Sequence, residues 1–224
     1  MIHRIRAGSS LCTSIVLGGL LAAPGLALGG EEEAAGHDHC HPASSAPARA
    51  EAAPAPDAAP ARYVRSERSY AVPDVTLVDE HEGKVRLAEL LSGDAPVMVN
   101  FVFTTCRAIC PVMSRIFASV QKELGREAGT VKLVSISIDP EQDTPERLRA
   151  YAARFGAQPG WRFLTGSVRD VEAVERAFDA YRGDKMNHQP LTLLRRSRAG
   201  PWIRIEGFAS PADLAREYQK VAMR

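Results

Sequence analysis

The chain has 224 residues, with 28 lysines and arginines against 27 aspartates and glutamates, so its formal net charge at pH 7 is +1. This length allows one well-buried domain with additional segments. A balanced charge without a basic stripe argues against nucleic acid as a partner, and the sequence shows no internal repeat.

The N-terminal segment has the layout of an export signal. Basic Arg4 and Arg6 precede an apolar run without charges, which extends from residue 11 to residue 28. A small-x-small sequence at 27–29 suits cleavage. We expect residues 1–29 to be a signal peptide or a membrane anchor, and the protein to be exported to the periplasmic side, either soluble or held by this segment. The glycines and the proline of the run weaken it as a membrane-spanning helix.

Residues 30–66 are rich in alanine, proline and glutamate and contain few large apolar side chains. Such a segment cannot bury enough surface to offset chain entropy, so we expect a disordered tether. The tether contains a short cluster of metal-binding residue types: His37, His39, Cys40 and His41. This cluster is either a secondary site for copper or zinc or a solvated, histidine-rich linker.

Residues 67–224 carry the apolar periodicity of a folded domain. In chain order the pattern predicts a strand at 72–78, a turn at 79–83, a strand at 84–87, a buried strand at 97–103, a helix at 109–124, a strand at 131–138, a helix from 145 to about 156, a strand at 161–164, a helix at 168–181, paired strands at 191–195 and 202–206, and a helix at 211–223. This order predicts an α/β sandwich around a mixed sheet.

A pair of cysteines follows the long buried strand at 97–103. Cys106 and Cys110 are four residues apart, a spacing that places both sulfurs on one face of a helix. The N-terminus of a helix also favours the thiolate form. In an oxidising compartment such a pair tends toward a disulfide unless it is kept reduced or metallated. A thiol pair after the first long core strand is the thioredoxin layout, although thioredoxins have two intervening residues and this chain has three.

Two thiolates favour Cu(I) or Zn(II) but leave a metal short of ligands. His188 stands two residues before a predicted core strand, and loops at strand ends often carry sites. It is either a third ligand or a surface-loop histidine bonded to its own backbone. The other histidine of the folded part, His81, lies in a hairpin turn, so His188 is the best candidate. Tetrahedral zinc would require a fourth protein donor, which favours copper.

Two motifs and this histidine resemble the Sco/SenC family over residues 70–224. Residues 103–114, Phe-Thr-Thr-Cys-Arg-Ala-Ile-Cys-Pro-Val-Met-Ser, are similar to its metal-site signature. Residues 135–146, Ser-Ile-Ser-Ile-Asp-Pro-Glu-Gln-Asp-Thr-Pro-Glu, are similar to its second signature, and His188 takes the place of its distal histidine.

The resemblance implies a thioredoxin-like fold with a mixed central sheet, flanking helices and an added N-terminal hairpin. It further implies copper bound by Cys106, Cys110 and His188. Asp139 matches a family acidic position near the site without an assigned role. Arg107 lies where the family often has an acidic residue, and its positive charge would favour thiolate.

The predicted function is therefore that of a copper metallochaperone for the Cu(A) site of cytochrome c oxidase. Its partners would be the Cu(A)-bearing subunit or another cuproprotein client, together with thiol reductants. An alternative is a thiol-disulfide oxidoreductase that reduces client cysteines, in which one sulfur attacks and the other resolves. A redox sensor that signals through the same pair is the third interpretation.

Overall fold

In the computed structural model the described residues are 62–93, 95–124, 131–196 and 200–222. The predicted signal or anchor and the His/Cys cluster of the tether lie outside them. Within these four ranges, no helix combines the length and the apolar character needed to cross a bilayer.

The described residues form one mixed sheet. Its strands are β1 (Tyr63–Arg68), β2 (Thr76–Asp79), β3 (Lys84–Arg86), β4 (Val97–Val102), β5 (Lys132–Ser137), β6 (Trp161–Thr165), β7 (Leu191–Arg195) and β8 (Trp202–Gly207). They lie in the order β1-β8-β7-β4-β5-β6-β2-β3. The pairs β4–β5 and β5–β6 are parallel, and β7 is antiparallel to β4. The hairpin β2–β3 extends the sheet beyond β6.

Helices cover both faces of this sheet. They are α1 (Leu87–Leu90), α2 (Ile109–Leu124), α3 (Pro145–Arg154), α4 (Val168–Ala177) and α5 (Pro211–Ala222), and a 3-10 turn spans Lys185–Asn187. The α3 helix starts as predicted, because the Thr144 side chain accepts the amide hydrogen of Arg147 and Pro145 occupies the first turn. The observed limits of α2 coincide with the predicted ones.

The core consists of two apolar clusters, one on each face of the sheet. Residues from α2, α3 and α5 pack into one cluster, and residues from α4 and the β2–β3 hairpin pack into the other. Every residue of β4 is buried, because helices cover both of its faces. The predicted α/β sandwich with a mixed sheet is confirmed.

The sheet begins before the predicted domain boundary at residue 67. Strand β1 pairs antiparallel with β8 from Tyr63 opposite Gly207 to Arg68 opposite Trp202. The first four residues of β1 therefore belong to the sheet and not to the tether. Most side chains of β1 are exposed, so this edge strand lacks the apolar alternation that marks a strand in sequence.

Three further local predictions were wrong. Strand β2 begins at Thr76, so the residues from Val72 onward precede it. Helix α4 ends at Ala177, and the positive φ of 52° at Asp179 is incompatible with its continuation. Val112, expected on the inner face of α2, is 39% exposed.

Phe178 is the centre of an aromatic group in one of the two clusters. Its ring lies 5.1 Å from that of Trp202, 5.5 Å from that of Tyr70 and 6.3 Å from that of Phe101, measured between centroids. We expect Phe178→Ala to lower the free energy of unfolding by about 3–5 kcal/mol, because it removes transfer energy and leaves a cavity. Urea denaturation measures this loss.

The control for this prediction is Phe208→Ala, since Phe208 is 38% exposed. We expect that change to cost less than about 1 kcal/mol. Similar losses for the two variants would contradict the assignment of Phe178 to the core.

Candidate metal centre

The topology of the sheet brings the cysteine loop and His188 to the same end of the molecule. The loop at 103–108 follows β4, whereas His188 precedes β7. These two strands are antiparallel neighbours, with Asn100 opposite Thr192, so the end of one lies beside the start of the other. In agreement, the imidazole of His188 hydrogen-bonds the backbone of Phe101 in β4.

The two cysteines lie together but differ in exposure. Cys110 is fully buried in the first turn of α2, whereas Cys106 precedes the helix and is partly exposed. The backbone amide of Cys110 donates to Cys106 Sγ at 3.4 Å, and both cysteines are free thiols. The predicted proximity is thus observed, but its predicted cause was wrong. The turn at 103–106, closed by the Cys106 amide on the Phe103 carbonyl at 3.2 Å, places Cys106 just before the helix whose first turn carries Cys110.

The two thiols also differ in acidity, because their burial and their neighbouring N–H groups differ. Partial burial opposes ionisation of Cys106, but N–H groups of Cys110, Ala108 and Ile109 point at its sulfur and lower its pKa below the ordinary value. Burial raises the pKa of the Cys110 thiol. The site therefore has one accessible sulfur that ionises readily and one enclosed sulfur that stays protonated.

A buried carboxylate holds the cysteine loop in place. Asp143 is fully buried and accepts hydrogen bonds from the Thr104 amide at 3.0 Å, the Thr104 hydroxyl at 2.6 Å and the Ser137 hydroxyl at 2.7 Å. Thr144 caps helix α3, and Asp143 links the cysteine loop to the turn between β5 and α3.

Asp139 forms the β5–α3 turn. Its carbonyl accepts the amide hydrogens of Gln142 at 3.0 Å and Asp143 at 2.8 Å. Its buried carboxylate also makes an ion pair with Lys185, at 2.6 Å between Oδ2 and Nζ. The sequence analysis missed Lys185, because no local pattern connects two residues so far apart in the chain.

His188 is 7% exposed, so its interpretation as a surface-loop histidine was wrong. Its Nε2 is buried and has no hydrogen-bond partner among the described residues. Nδ1 must therefore be the atom that donates to the Phe101 carbonyl. Burial lowers the pKa of His188 to about 4, so the ring is neutral at neutral pH. A neutral imidazole whose other nitrogen is fixed by a carbonyl is the form in which histidine binds metals.

The donor types fit a soft cation, although the structure does not bring all three to coordination distance. In the part of the chain that the structure describes, no three or more His, Cys, Asp or Glu side chains are arranged to hold a metal ion. Two sulfurs and an unpaired imidazole nitrogen at one end of the sheet nevertheless provide the chemistry that copper prefers. Met113 is buried, whereas Met186 is 72% exposed.

A cavity of about 430 Å³ lies beside the imidazole and is lined by His188, Lys185, Asp139 and Glu175, among others. Burial raises the pKa of Glu175 to about 7. Sequence analysis missed Glu175, because a single acidic residue within an amphipathic helix gives no local signal of burial.

Comparison with known proteins identifies relatives of this chain. The sequence model of the SCO1/SenC family matches residues 65–222. A SCO1 protein homolog of Bacillus subtilis is 34% identical over 113 residues, which are 50% of this chain and 58% of that protein. A mitochondrial SCO2 homolog of Bos taurus is 34% identical over 110 residues, which are 48% of this chain and 40% of that protein. The chain thus spans about half the length of these relatives.

Solved structures agree with the fold. One is BsSco, described as a member of the Sco family of cytochrome c oxidase assembly proteins, with a TM-score of 0.60 and 27% identity over 71% of this chain and 98% of that one. Another is Bradyrhizobium japonicum ScoI with copper bound, with a TM-score of 0.55 and 23% identity over 67% of this chain and 99% of that one; it shows the fold alone. The predicted thioredoxin-like fold is confirmed, and the match over residues 65–222 establishes that this chain belongs to the SCO1/SenC family.

Proposed function

We propose that the chain is a copper metallochaperone that binds copper through Cys106, Cys110 and His188 and supplies it during assembly of the Cu(A) site of cytochrome c oxidase. The observation that carries the proposal is the antiparallel pairing of β4 with β7, which brings the cysteine loop and the segment of His188 to one end of the sheet. Two structural neighbours support it, since one is a member of a family of cytochrome c oxidase assembly proteins and the other has copper bound.

Each ligand has a distinct part in this proposal. Cys106 is the accessible sulfur and would meet the incoming ion first, while Cys110 would bind from the buried side. The unpaired Nε2 of His188 would complete the site. Two sulfurs favour Cu(I), and the imidazole lets the same residues accommodate Cu(II) with an added ligand. Binding releases the thiol protons.

The place of action and the partners form part of the same proposal. Residues 1–29 would direct export, so the folded domain would work on the periplasmic side, soluble or anchored by this segment. The client would be the Cu(A)-bearing subunit or another cuproprotein, and thiol reductants would keep the cysteine pair reduced. The cluster of His37, His39, Cys40 and His41 would serve as a secondary site for metal.

The different acidity of the two thiols favours thiol-disulfide exchange as a second candidate function. The Cys106 thiolate would attack a client disulfide, forming a mixed disulfide as the client S–S bond breaks and its leaving sulfur takes a proton. The Cys110 sulfur would then displace the second client sulfur and give up its own proton. Two electrons and two protons pass to the client, which leaves with two thiols, and Cys106 and Cys110 become a disulfide.

Copper titration tests the ligand set. We define a reference variant, Cys12→Ser with Cys40→Ser, in which the remaining cysteines are Cys106 and Cys110. In anaerobic competition against a chelator, we expect the reduced reference variant to bind one Cu(I) tightly. Loss of either sulfur should lower the affinity by about 100-fold or more, and His188→Ala should lower it by about tenfold. Even residues that only hydrogen-bond a metal ligand typically contribute about 10–100-fold to the affinity.

His81→Ala is the matched control, because His81 lies in the β2–β3 turn and should leave the affinity unchanged. Tight one-to-one binding that survives in Cys106→Ser, Cys110→Ser and His188→Ala would contradict the proposed copper site.

Alkylation tests the difference between the two sulfurs. At pH 7 we expect iodoacetamide to modify Cys106 of the reduced reference variant much faster than Cys110, as read by peptide mass spectrometry. Because the pKa of Cys106 is lowered, its thiolate persists to a lower pH than that of an ordinary thiol; the raised pKa of Cys110 keeps its sulfur protonated. Equal rates for the two cysteines would remove the support for Cys106 as the attacking sulfur.

A further inference from the structure

We propose that Lys185 is a positioning residue for His188: its ammonium group contacts both the β5–α3 turn and the cysteine loop, and so holds the segment of His188 at the end of the sheet where the cysteine loop lies. The inference rests on the proposed copper function and deepens it. It also gives a role to Asp139, which the sequence analysis left without one.

The first contact is the ion pair with Asp139. Lys185 Nζ lies 2.6 Å from Asp139 Oδ2, and the side chain of Asp139 is only 5% exposed. Asp139 is itself fixed, because its amide donates to the Ser137 hydroxyl at 3.0 Å and its carbonyl closes the turn. A buried carboxylate without its cation is costly, so this pair holds Lys185 against a rigid part of the fold.

The second contact reaches the cysteine loop. Lys185 Nζ lies 5.8 Å from the ring centroid of Phe103, within the range of a cation–π interaction. Phe103 is buried, and its carbonyl accepts the amide hydrogen of Cys106. The same ammonium group therefore touches the residue whose backbone closes the turn that presents the accessible sulfur.

The position of Lys185 is transmitted to His188 through a short, hydrogen-bonded segment. Lys185 starts the 3-10 turn, and the His188 amide donates to the Lys185 carbonyl at 3.1 Å. The Asp184 carboxylate accepts the Met186 amide hydrogen at 2.8 Å and caps the same turn. Since His188 follows Lys185 by only three positions, fixing the lysine restricts where the imidazole can lie.

The geometry gives the β5–α3 turn a double function. Asp143 holds the cysteine loop through Thr104, and Asp139 holds the histidine segment through Lys185. Two carboxylates of one turn thus set the positions of the two parts of the proposed site relative to each other. An isolated surface ion pair would contribute little, whereas this one has a buried partner and lies between the ligand-bearing segments.

The test compares copper affinities in the reference variant by anaerobic Cu(I) competition. We expect Lys185→Met, which keeps the length of the side chain but removes its charge, to lower the affinity by about tenfold. Lys185→Arg, which keeps the charge, should restore most of it. In a His188→Ala background Lys185→Met should cause no further loss, since a positioning residue acts only through the group that it positions.

Lys84→Met is the matched control, because Lys84 is an exposed lysine on strand β3. Hydrogen exchange of the copper-free proteins gives an independent measurement: exchange at residues 184–190 should become faster in Lys185→Met and stay unchanged in Lys84→Met. If Lys185→Met does not fold, Asp139→Asn breaks the same ion pair and takes its place.

The outcomes separate this inference from the proposed function. If His188→Ala weakens copper binding but Lys185→Met does not, the positioning role is wrong and the copper site stands. If Lys185→Met lowers the affinity equally with and without His188, its effect is general and the inference is again wrong. If His188→Ala binds copper like the reference variant, the proposed ligand set itself fails.

Discussion

The antiparallel pairing of β4 with β7 is the constraint on which the proposed site depends. The cysteine loop leaves the end of β4, and the histidine segment enters β7 at that same end, although His188 follows Cys110 by 78 positions in the chain. Backbone hydrogen bonds of a central, fully buried strand fix this relation. Because β4 is covered on both faces, its register cannot slip without exposing apolar side chains. The fold thus brings the two donor-bearing segments of the proposed site to one end of the sheet.

Polar interactions then fix the two donor-bearing segments that the sheet brings to one end. The β5–α3 turn carries two buried carboxylates. Asp143 accepts hydrogen bonds from the cysteine loop, and Asp139 makes an ion pair with Lys185 in the histidine segment. Burial makes these contacts matter more than equivalent ones on the surface, since a carboxylate left unpaired in the interior is costly. In the cysteine loop, the two thiols differ in acidity. Burial raises the pKa of Cys110, while backbone amides lower that of Cys106.

Much of this arrangement was predictable from sequence, because strong local patterns encode it. The apolar run of β4, the periodicity of α2 and the start of α3 at residue 145 were each predicted correctly. The motifs around Cys106 and Cys110 identified the family. Strand β1 was not predicted, because its side chains are mostly polar and exposed and show no apolar alternation. Its position is fixed mainly by backbone pairing with β8. Lys185 and the loop contact of Asp143 escaped because their partners are 46 and 39 residues away in the sequence.

The unpaired Nε2 of His188 has an energetic consequence for the whole domain. A buried polar atom without a partner typically costs about 1–3 kcal/mol, and in the metal-free protein nothing among the described residues offsets it. A cation that coordinates this nitrogen removes that penalty in the folded state alone, so occupancy and resistance to unfolding become thermodynamically linked. Under the proposed function, delivery of the ion to a client would return the domain to its less stable form, so the client would have to bind the ion strongly enough to offset that loss of stability.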